Sequence, residues 1–507
     1  MDEIRLVDTT LRDGQQSLWA CRMRTGAMLP AMPDLDSAGF DAMEFSCPYI
    51  TFPRGVRDLK EYPWDWLRLG TQVNQKTTLR LHGAAGSHYT NVPLSIQGMF
   101  LEKLTAMGIT TTRTSDPWND YEALDRTVGS LSAHGIRTVV NLIYSVSPRH
   151  TVEYYARKTR EVAALQPYRI CFKDVGGLLT PESAAEVLPA VVANAGGATL
   201  EFHAHSNNGF APYIALMAAE AGIRVLHTAI PPLANGSSQP SVFEVVRNLR
   251  ARGMAVAVDL EPLERVSEHF HRVAELEGLP VGAPRSYDER LYQHQIPGGM
   301  ISNLRLQMRQ IGVEHRLGEA LDEAAVVRRE LGYPIMVTPL AQFVGSQAVL
   351  NVVTGGRYDT VTDEVIRYAQ GRFGREAVTE MDDDVREKIL DRPRARELAE
   401  ESDGSDGGPS VEEVRKRFGG DISDEEMLVR VISGVGDLSV DLGMRRESAV
   451  MTYEGYLRER GGSLLELLRR ASVGDIRRFE YGDSDGRVSL RRGNRGRPRT
   501  GAGTAAH

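Results

Sequence analysis

Eight short apolar segments, each followed by a longer segment of helical period, fill the first half of this 507-residue chain. The predicted strands cover residues 4–7, 42–46, 78–82, 110–114, 138–144, 169–172, 200–203 and 225–230. Eight strand-helix units are typical of an α/β fold, the closed (β/α)8 TIM barrel, which gathers its active site at the carboxyl ends of the strands. A doubly wound open sheet is the alternative, but the first unit lacks the Gly-x-Gly-x-x-Gly turn of that fold. We therefore predict a TIM barrel.

The alternation of predicted strands and helices stops near residue 285. Composition then divides the remaining chain into three segments. We predict a barrel domain over 1–285, an α-helical C-terminal domain over 286–400, a linker with an additional helical region over 401–481, and an Arg- and Gly-rich disordered tail over 482–507. The linker begins with a polar, Gly-rich stretch at 402–409, and the tail has few apolar residues with which to form a core.

Composition excludes several classes of function. A net charge of −8, with 41% hydrophobic and 25% charged residues, gives no general attraction to nucleic acid or to anionic membranes. No apolar run approaches the roughly 20 residues that span a bilayer, and the N-terminus has no signal-peptide pattern. The three cysteines, Cys21, Cys47 and Cys171, form no disulfide framework. We therefore expect a cytoplasmic protein with a small-molecule partner.

Arg12 and Asp13 directly follow the first predicted strand, in the motif DTTLRD at residues 8–13. A guanidinium can bind a carboxylate or a carbonyl through a planar fork of donors, and a carboxylate can bind a divalent metal ion. His203 and His205 end the seventh strand, and residues two apart on a strand face the same side. Asp13 and the two histidines together supply three ligands and leave positions open for substrate, so we predict a metal centre.

Lys173 directly follows the sixth predicted strand, in the motif KDVGGLLTP at residues 173–181. Burial disfavours an ammonium group, so a lysine inside a barrel requires a role. The residues leave three roles open: a Schiff base with a carbonyl substrate, carbamylation to an anionic metal ligand, or an ion pair with Asp174.

Six motifs in one order carry a resemblance to a known family: DTTLRD (8–13), KDVGGLLTP (173–181), HAH (203–205), AIPPLANGSSQP (229–240), QIPGGMISNL (295–304) and VTP (337–339). From about residue 3 to about residue 400, the chain resembles the carboxyltransferase domain (the B subunit) of pyruvate carboxylase, the oxaloacetate decarboxylase alpha subunit and the outer transcarboxylase subunit. These belong to the metal-dependent HMG-CoA lyase-like TIM-barrel superfamily.

The resemblance implies a metal-dependent, biotin-linked carboxyltransferase or decarboxylase that moves a carboxyl group between carboxybiotin and a 2-keto acid such as pyruvate or oxaloacetate, through a metal-stabilised enolate. It implies these roles: metal ligands Asp13, His203, His205 and carbamylated Lys173; substrate-binding residues Arg12, Gln16, Tyr89 and His82; and catalytic residues Thr338, Lys173 and Arg12. Thr338 would move a proton between biotin and the enolised substrate. The metal is left open among zinc, manganese and cobalt.

Several residues depart from the family pattern. His82 stands where the family has an arginine, Pro53 and His227 stand where it has aspartates, and residues 206–209 read SNNG instead of DTSG. A neutral histidine cannot bind a carboxylate bidentately as an arginine does, so these departures bear on the identity of the substrate.

The chain also has no Met-Lys pair, the site at which the family attaches biotin. We therefore expect biotin to arrive on a separate carrier protein, a biotin carboxyl carrier protein, and a biotin carboxylase subunit to be a second partner. The resemblance also implies a homo-oligomer. Two alternatives remain: a biotin-independent, metal-dependent C–C lyase or aldolase, and a non-catalytic assembly subunit.

Overall fold

The computed structural model describes residues 3–85, 92–400, 408–434, 478–483 and 486–491. Within them, eight parallel strands pair in chain order and the eighth pairs with the first, which closes a barrel. The predicted (β/α)8 barrel is thereby confirmed. The strands are β1 (Arg5–Asp8), β2 (Ala42–Ser46), β3 (Thr78–His82), β4 (Thr111–Thr114), β5 (Arg137–Ile143), β6 (Arg169–Asp174), β7 (Leu200–Ala204) and β8 (Val225–Thr228).

The helices of the barrel lie between and after these strands. They are α1 (Gln15–Trp19), α2 (Thr25–Met28), α3 (Met32–Ser37), α4 (Pro48–Arg54), α5 (Pro63–Val73), α6 (Leu94–Ala106), α7 (Tyr121–Ala133), α8 (Val152–Ala164), α9 (Pro181–Asn194), α10 (Ala211–Ala221), α11 (Val242–Ala251) and α12 (Glu261–Glu277). Pro48, Pro63 and Pro181 occupy the first helical position, where the missing N–H costs no hydrogen bond. Short π-helical turns cover Thr10–Gly14 and Gly55–Leu59, and a 3₁₀ turn covers Leu29–Ala31.

A second, helical domain follows the barrel and has its own core. Its helices are α13 (Arg290–His294), α14 (Gly298–Gln310), α15 (Leu317–Glu330), α16 (Leu340–Thr354), α17 (Asp363–Ala369), α18 (Arg375–Thr379), α19 (Asp383–Leu390) and α20 (Pro393–Glu400), with a 3₁₀ turn at Glu314–Arg316. Trp118, from the loop after β4, packs into this core, with its ring centroid 5.9 Å from that of Tyr368. The predicted helical C-terminal domain is therefore present and is joined to the barrel by side-chain packing.

The chain then returns to the barrel. Helices α21 (Val411–Arg417) and α22 (Asp424–Ser433) contribute Val414, Met427 and Leu428 to the same apolar core as the barrel. The Trp64 indole donates to the Glu425 carbonyl at 3.0 Å, which fixes α22 against the start of α5. The segment after the predicted linker is thus part of the packing of the barrel.

Two further strands, β9 (Arg478–Asp483) and β10 (Gly486–Arg491), pair antiparallel. They overlap the start of the 482–507 segment predicted to be a disordered tail; the rest of that segment lies outside the described residues, and the predicted domain boundaries stay predictions. No helix in the described ranges is long and apolar enough to cross a membrane. Cys21, Cys47 and Cys171 are buried and form no disulfides.

Candidate metal centre and substrate pocket

Three of the predicted metal ligands meet at the carboxyl end of the barrel. His203 is the fourth residue of β7, His205 follows the strand, and Asp13 lies in the π-helical turn after β1. The Nε2 atoms of His203 and His205 lie 3.2 and 3.6 Å from the two carboxylate oxygens of Asp13. One ligand atom from each residue lies within 4.8 Å of the others, a spacing at which a single cation can contact all three.

The backbone around Asp13 explains its position. The N–H groups of Arg12, Asp13 and Gly14 all point to the Thr9 carbonyl, at 3.2, 2.8 and 3.0 Å, so the turn wraps tightly around the end of β1. A Cβ at Gly14 would lie 2.9 Å from the Leu233 carbonyl oxygen, so glycine permits the close approach of the loop after β8. Turns of the π type recur at functional sites because they displace side chains from the helical register.

Hydrogen bonds orient both imidazoles. His205 Nδ1 lies 2.6 Å from the Ser237 carbonyl and therefore donates to it, so in the neutral ring Nε2 is the nitrogen with the lone pair. The side-chain nitrogen of Gln239 lies 3.3 Å from His203 Nε2 and 3.1 Å from His205 Nε2. An amide N–H group donates, so this contact also requires an unprotonated Nε2 on each ring. The donor set, two lone-pair nitrogens and a carboxylate, fits a divalent cation.

Lys173 lies beside this set, because it is the register partner of His203 in the pairing of β6 with β7. Its side chain is buried, and burial, with the nearby charge of Arg113, lowers the pKa of Lys173 to about 7. A neutral amine is therefore well populated near neutral pH.

One of the three roles that the sequence leaves open for Lys173 is an ion pair with Asp174. The part of the chain that the structure describes contains no such ion pair. Consecutive residues of a strand face opposite sides of the sheet, and the Asp174 carboxylate accepts the N–H groups of Leu178 and Leu179, each at 2.8 Å. Gly177, at φ +63°, lets this loop pass the His205 carbonyl, which an added Cβ would approach to 2.6 Å.

A layer of paired charges supports the centre. Glu44 accepts from Arg12 at 2.6 and 3.0 Å and from Arg113 at 2.5 and 2.9 Å. Burial opposes ionisation of Glu44, but the two guanidinium charges outweigh it and hold its pKa well below the usual range. Arg12 also contacts Asp13 at 2.7 Å, so its guanidinium is already shared between two carboxylates.

Glu201 forms a second set of pairs deeper in the barrel. It accepts from Arg80 at 2.7 and 2.9 Å and from Arg169 at 2.9 Å, and it lies 2.9 Å from His227 Nε2. Cys171, Glu201 and His227 also have the spacing of a metal site. The two arginines already neutralise this carboxylate, and burial raises the pKa of the Cys171 thiol to about 12, so these residues do not form a favourable metal centre.

Three of the four predicted substrate residues, Arg12, Gln16 and His82, lie around the same strand ends. His82 ends β3; burial and the positive charges of Arg12, Lys173 and Arg113 hold its pKa well below the usual range, so it is neutral. His82 Nδ1 and Gln16 Oε1 have no hydrogen-bond partner among the described residues. Tyr89 lies outside the described residues.

Thr338 comes from the helical domain and is exposed. The neighbouring Val337 packs with Ile335 on Ile143, the last residue of β5 and the register partner of Lys173. The VTP segment is thus held at the strand ends near the metal centre.

Two residues of the helical domain fix it to the loop after β5. Gln295, from the QIPGG motif, accepts from the Ser145 hydroxyl at 3.1 Å and donates to the Val146 carbonyl at 2.6 Å. Arg328 donates to the same two groups at 3.0 Å and to the Pro334 carbonyl at 3.1 Å. Burial lowers the pKa of Arg328 to about 10. Sequence reasoning missed Arg328, because nothing in its local pattern distinguishes it from a surface arginine.

Comparison with known proteins places these features in a family. A family model described as "Conserved carboxylase domain" matches residues 291–432, and one described as "HMGL-like" matches residues 119–269. The B subunit of pyruvate carboxylase from Methanothermobacter thermautotrophicus is 34% identical over 395 residues, which cover 77% of this chain and 69% of that protein.

Two other relatives have different names. The 2-oxoglutarate carboxylase large subunit of Hydrogenobacter thermophilus is 31% identical, over 84% of this chain and 66% of that protein. The methylmalonyl-CoA carboxyltransferase 5S subunit of Propionibacterium freudenreichii is 30% identical, over 73% of this chain and 74% of that protein. The chain therefore spans about two thirds of the length of several of its curated relatives.

Solved structures share the fold. The carboxyltransferase domain of Rhizobium etli pyruvate carboxylase, solved with pyruvate, superimposes with a TM-score of 0.76 at 23% identity, over 88% of this chain and 78% of that chain. The same domain solved with pyruvate and biocytin gives a TM-score of 0.76 at 24% identity, over 89% and 78% of the two chains.

Proposed function

This chain belongs to the pyruvate carboxylase family of carboxyltransferases, and from this premise we propose that it transfers a carboxyl group between carboxybiotin and a 2-keto acid or a related enolisable substrate. The single observation that carries the proposal is the convergence of Asp13, His203 and His205, with buried Lys173 beside them.

A divalent cation, zinc, manganese or cobalt, would be held by Asp13, His203, His205 and the carbamate of Lys173. When bound, it supplies positive charge beside the keto oxygen of the substrate, where charge develops as the enolate forms. Carbamylation needs an unprotonated amine: the Lys173 nitrogen bonds to the carbon of CO2 and loses a proton, which leaves an anionic oxygen ligand. The pKa of about 7 for Lys173 supports this chemistry.

Arg12, Gln16, His82 and Tyr89 would bind the substrate. Arg12 Nε and Nη2 already bind Glu44, so Nη1 is the donor left for a substrate oxygen. His82, being neutral, offers one hydrogen bond and no ion pair, so Arg12 would be the main partner of the substrate carboxylate. Thr338 would carry the proton between the biotin nitrogen and the substrate, since a neutral hydroxyl can relay a proton without holding charge.

Biotin would come on a separate carrier protein, charged by a separate biotin carboxylase subunit, and the chain would act as a homo-oligomer. The relatives from Methanocaldococcus and Methanothermobacter are each named as one subunit of pyruvate carboxylase, which supports a divided enzyme of this kind.

The test is decarboxylation of oxaloacetate by the purified full chain with free biotin, in bicarbonate buffer containing Zn²⁺, Mn²⁺ or Co²⁺. The release of pyruvate is measured. We expect turnover that a chelator abolishes, that the added metal restores, and that His203→Ala removes. His269→Gln is the matched control, because His269 is a buried histidine of the same barrel that bonds the Ala27 carbonyl, away from the centre. Absence of metal-dependent turnover over a panel of keto acids would count against the proposal.

The neutral His82 and the replacement of an aspartate by Pro53 favour a second candidate, a biotin-independent, metal-dependent C–C lyase or aldolase. Chelator-sensitive cleavage of a keto-acid substrate that is unaffected by biotin and unchanged by Thr338→Ala would support that candidate. A non-catalytic assembly role predicts a purified protein that binds no metal tightly.

A further inference from the structure

Buried side chains form a series of hydrogen bonds that begins at the ligand histidine His203. Its Nδ1 lies 3.0 Å from Nδ1 of His227 in β8, and His227 Nε2 lies 2.9 Å from the Glu201 carboxylate in β7. His203 and Glu201 are 0% exposed and His227 is 2% exposed, so water does not compete for these contacts.

The direction of each hydrogen bond follows from the carboxylate end. Glu201 is ion-paired with Arg80 and Arg169 and is therefore an acceptor only. His227 must then donate from Nε2, and its Nδ1 is left as a lone pair. The remaining contact, between two Nδ1 atoms, can form only if His203 donates from Nδ1.

We infer that His227 and Glu201 are positioning residues that fix His203 in the tautomer whose Nε2 lone pair faces Asp13 and the metal. The inference rests on the proposed metal centre. Ligand histidines commonly donate their second ring N–H to a carboxylate or a carbonyl, as His205 does to Ser237. For His203, an imidazole stands between the ligand and the carboxylate, and His227 is the residue that departs from the aspartate of the family pattern.

His227 thus supplies an acceptor for His203. A histidine reaches further than an aspartate, and here the additional length spans the gap to Glu201, which the neighbouring strand supplies two residues before His203. Arg80 and Arg169 bind the Glu201 carboxylate at the far end of these contacts, so the imidazole of His227 is fixed at both nitrogens.

The two amide substitutions of His227 separate its two contacts. The oxygen of His227→Asn can lie near the position of Nδ1 and keep an acceptor for His203, whereas His227→Gln places its amide near the position of Nε2 and keeps only the contact with Glu201. We expect His227→Gln to weaken Zn²⁺ binding by about 10–100-fold, the range found when the partner of a ligand histidine is removed, and His227→Asn to lose less. His269→Gln is the control and should bind Zn²⁺ as the wild-type chain does.

Affinity is measured by competition between the full chain and a chromophoric chelator for Zn²⁺ in bicarbonate buffer, without a turnover assay. If the wild-type chain itself fails to bind Zn²⁺, the proposed metal centre is wrong. If the wild-type chain binds and His227→Gln binds equally tightly, or if His227→Asn loses more than His227→Gln, the inference about His227 is wrong while the centre stands.

A second measurement needs no substituted variant and so does not depend on the folding of one. Long-range ¹H–¹⁵N correlation spectra of metal-free wild-type protein labelled with ¹⁵N-histidine report which ring nitrogen carries the proton. We expect Nδ1 of His203 to carry a proton, because it donates to His227. A bare Nδ1 on His203 would overturn the inference whatever the variants show.

Discussion

Glu44 provides a demanding test of how the charges of the pocket are balanced. Its carboxylate is 0% exposed and lies between Arg12, 2% exposed, and Arg113, 0% exposed. Glu44→Gln keeps the shape and removes the charge, so two buried guanidinium groups would lose their shared anion and only Asp13 would remain in contact with Arg12.

Removing one member of a buried ion pair costs about 3–5 kcal/mol, because the other charge stays buried without compensation. For a domain of this size, about 2 °C of melting temperature corresponds to each kcal/mol, so we expect the barrel transition to fall by roughly 6–10 °C. The folded-state pKa of Glu44 lies below its unfolded value, so its contribution to stability is present above the unfolded pKa and is lost only in acid, as the pH falls through the folded pKa.

The matched control is Glu314→Gln. It removes the ion pair between Glu314, whose side chain is 37% exposed, and Arg309, whose side chain is 63% exposed. Solvent screens an exposed pair of this kind, so this variant should leave the melting transition almost unchanged. Calorimetry at neutral pH distinguishes the two cases. Equal shifts for Glu44→Gln and Glu314→Gln would refute the reasoning that the interior charges depend on one carboxylate.

Three further predictions concern the helical domain. Thr338→Ala should lower turnover by about 10²–10⁴-fold, the usual contribution of a positioned proton carrier, while Thr338→Ser retains it and neither changes the melting temperature of this exposed site. Burial lowers the pKa of His294 to about 4, and its Nδ1 accepts from the Ile296 N–H. The free energy of unfolding should therefore fall as the pH drops below the unfolded pKa near 6.5, by about 2 kcal/mol at pH 5. His294→Asn accepts the same hydrogen bond but cannot be protonated, so its unfolding in urea should lack this pH dependence. Arg328→Met removes the donors to Ser145, Val146 and Pro334 and should lower kcat without changing the affinity of the barrel for Zn²⁺; an unchanged kcat would show that this contact does not position Thr338.

The barrel and the meeting of Asp13, His203 and His205 could be predicted from the sequence for one physical reason. Each of these residues lies at or just past a strand end, and parallel strands in a closed barrel bring all such ends to one rim. The strand boundaries were predicted to within about two residues; the eighth strand, predicted to end at 230, ends at Thr228.

The pairs that organise the interior could not be predicted in the same way. Glu44 meets Arg113, 69 residues later, and Arg328 meets Ser145, 183 residues earlier. Such pairings depend on barrel closure and on domain docking, which no local period encodes. His227 shows the difference clearly: the sequence marked it only as a departure from the family pattern, whereas the structure places its ring against His203.

The packing of α21 and α22 against the barrel has a practical consequence for the design of truncated fragments. A fragment cut after α20 would retain the whole barrel and the whole helical domain by sequence, yet it would strip Met427 and Leu428 from the barrel core and leave the Trp64 indole without its carbonyl acceptor. The shortest fragment that keeps the observed packing therefore extends to about residue 434. The helical domain is therefore connected at both its N-terminal and its C-terminal side to segments that pack in the barrel core.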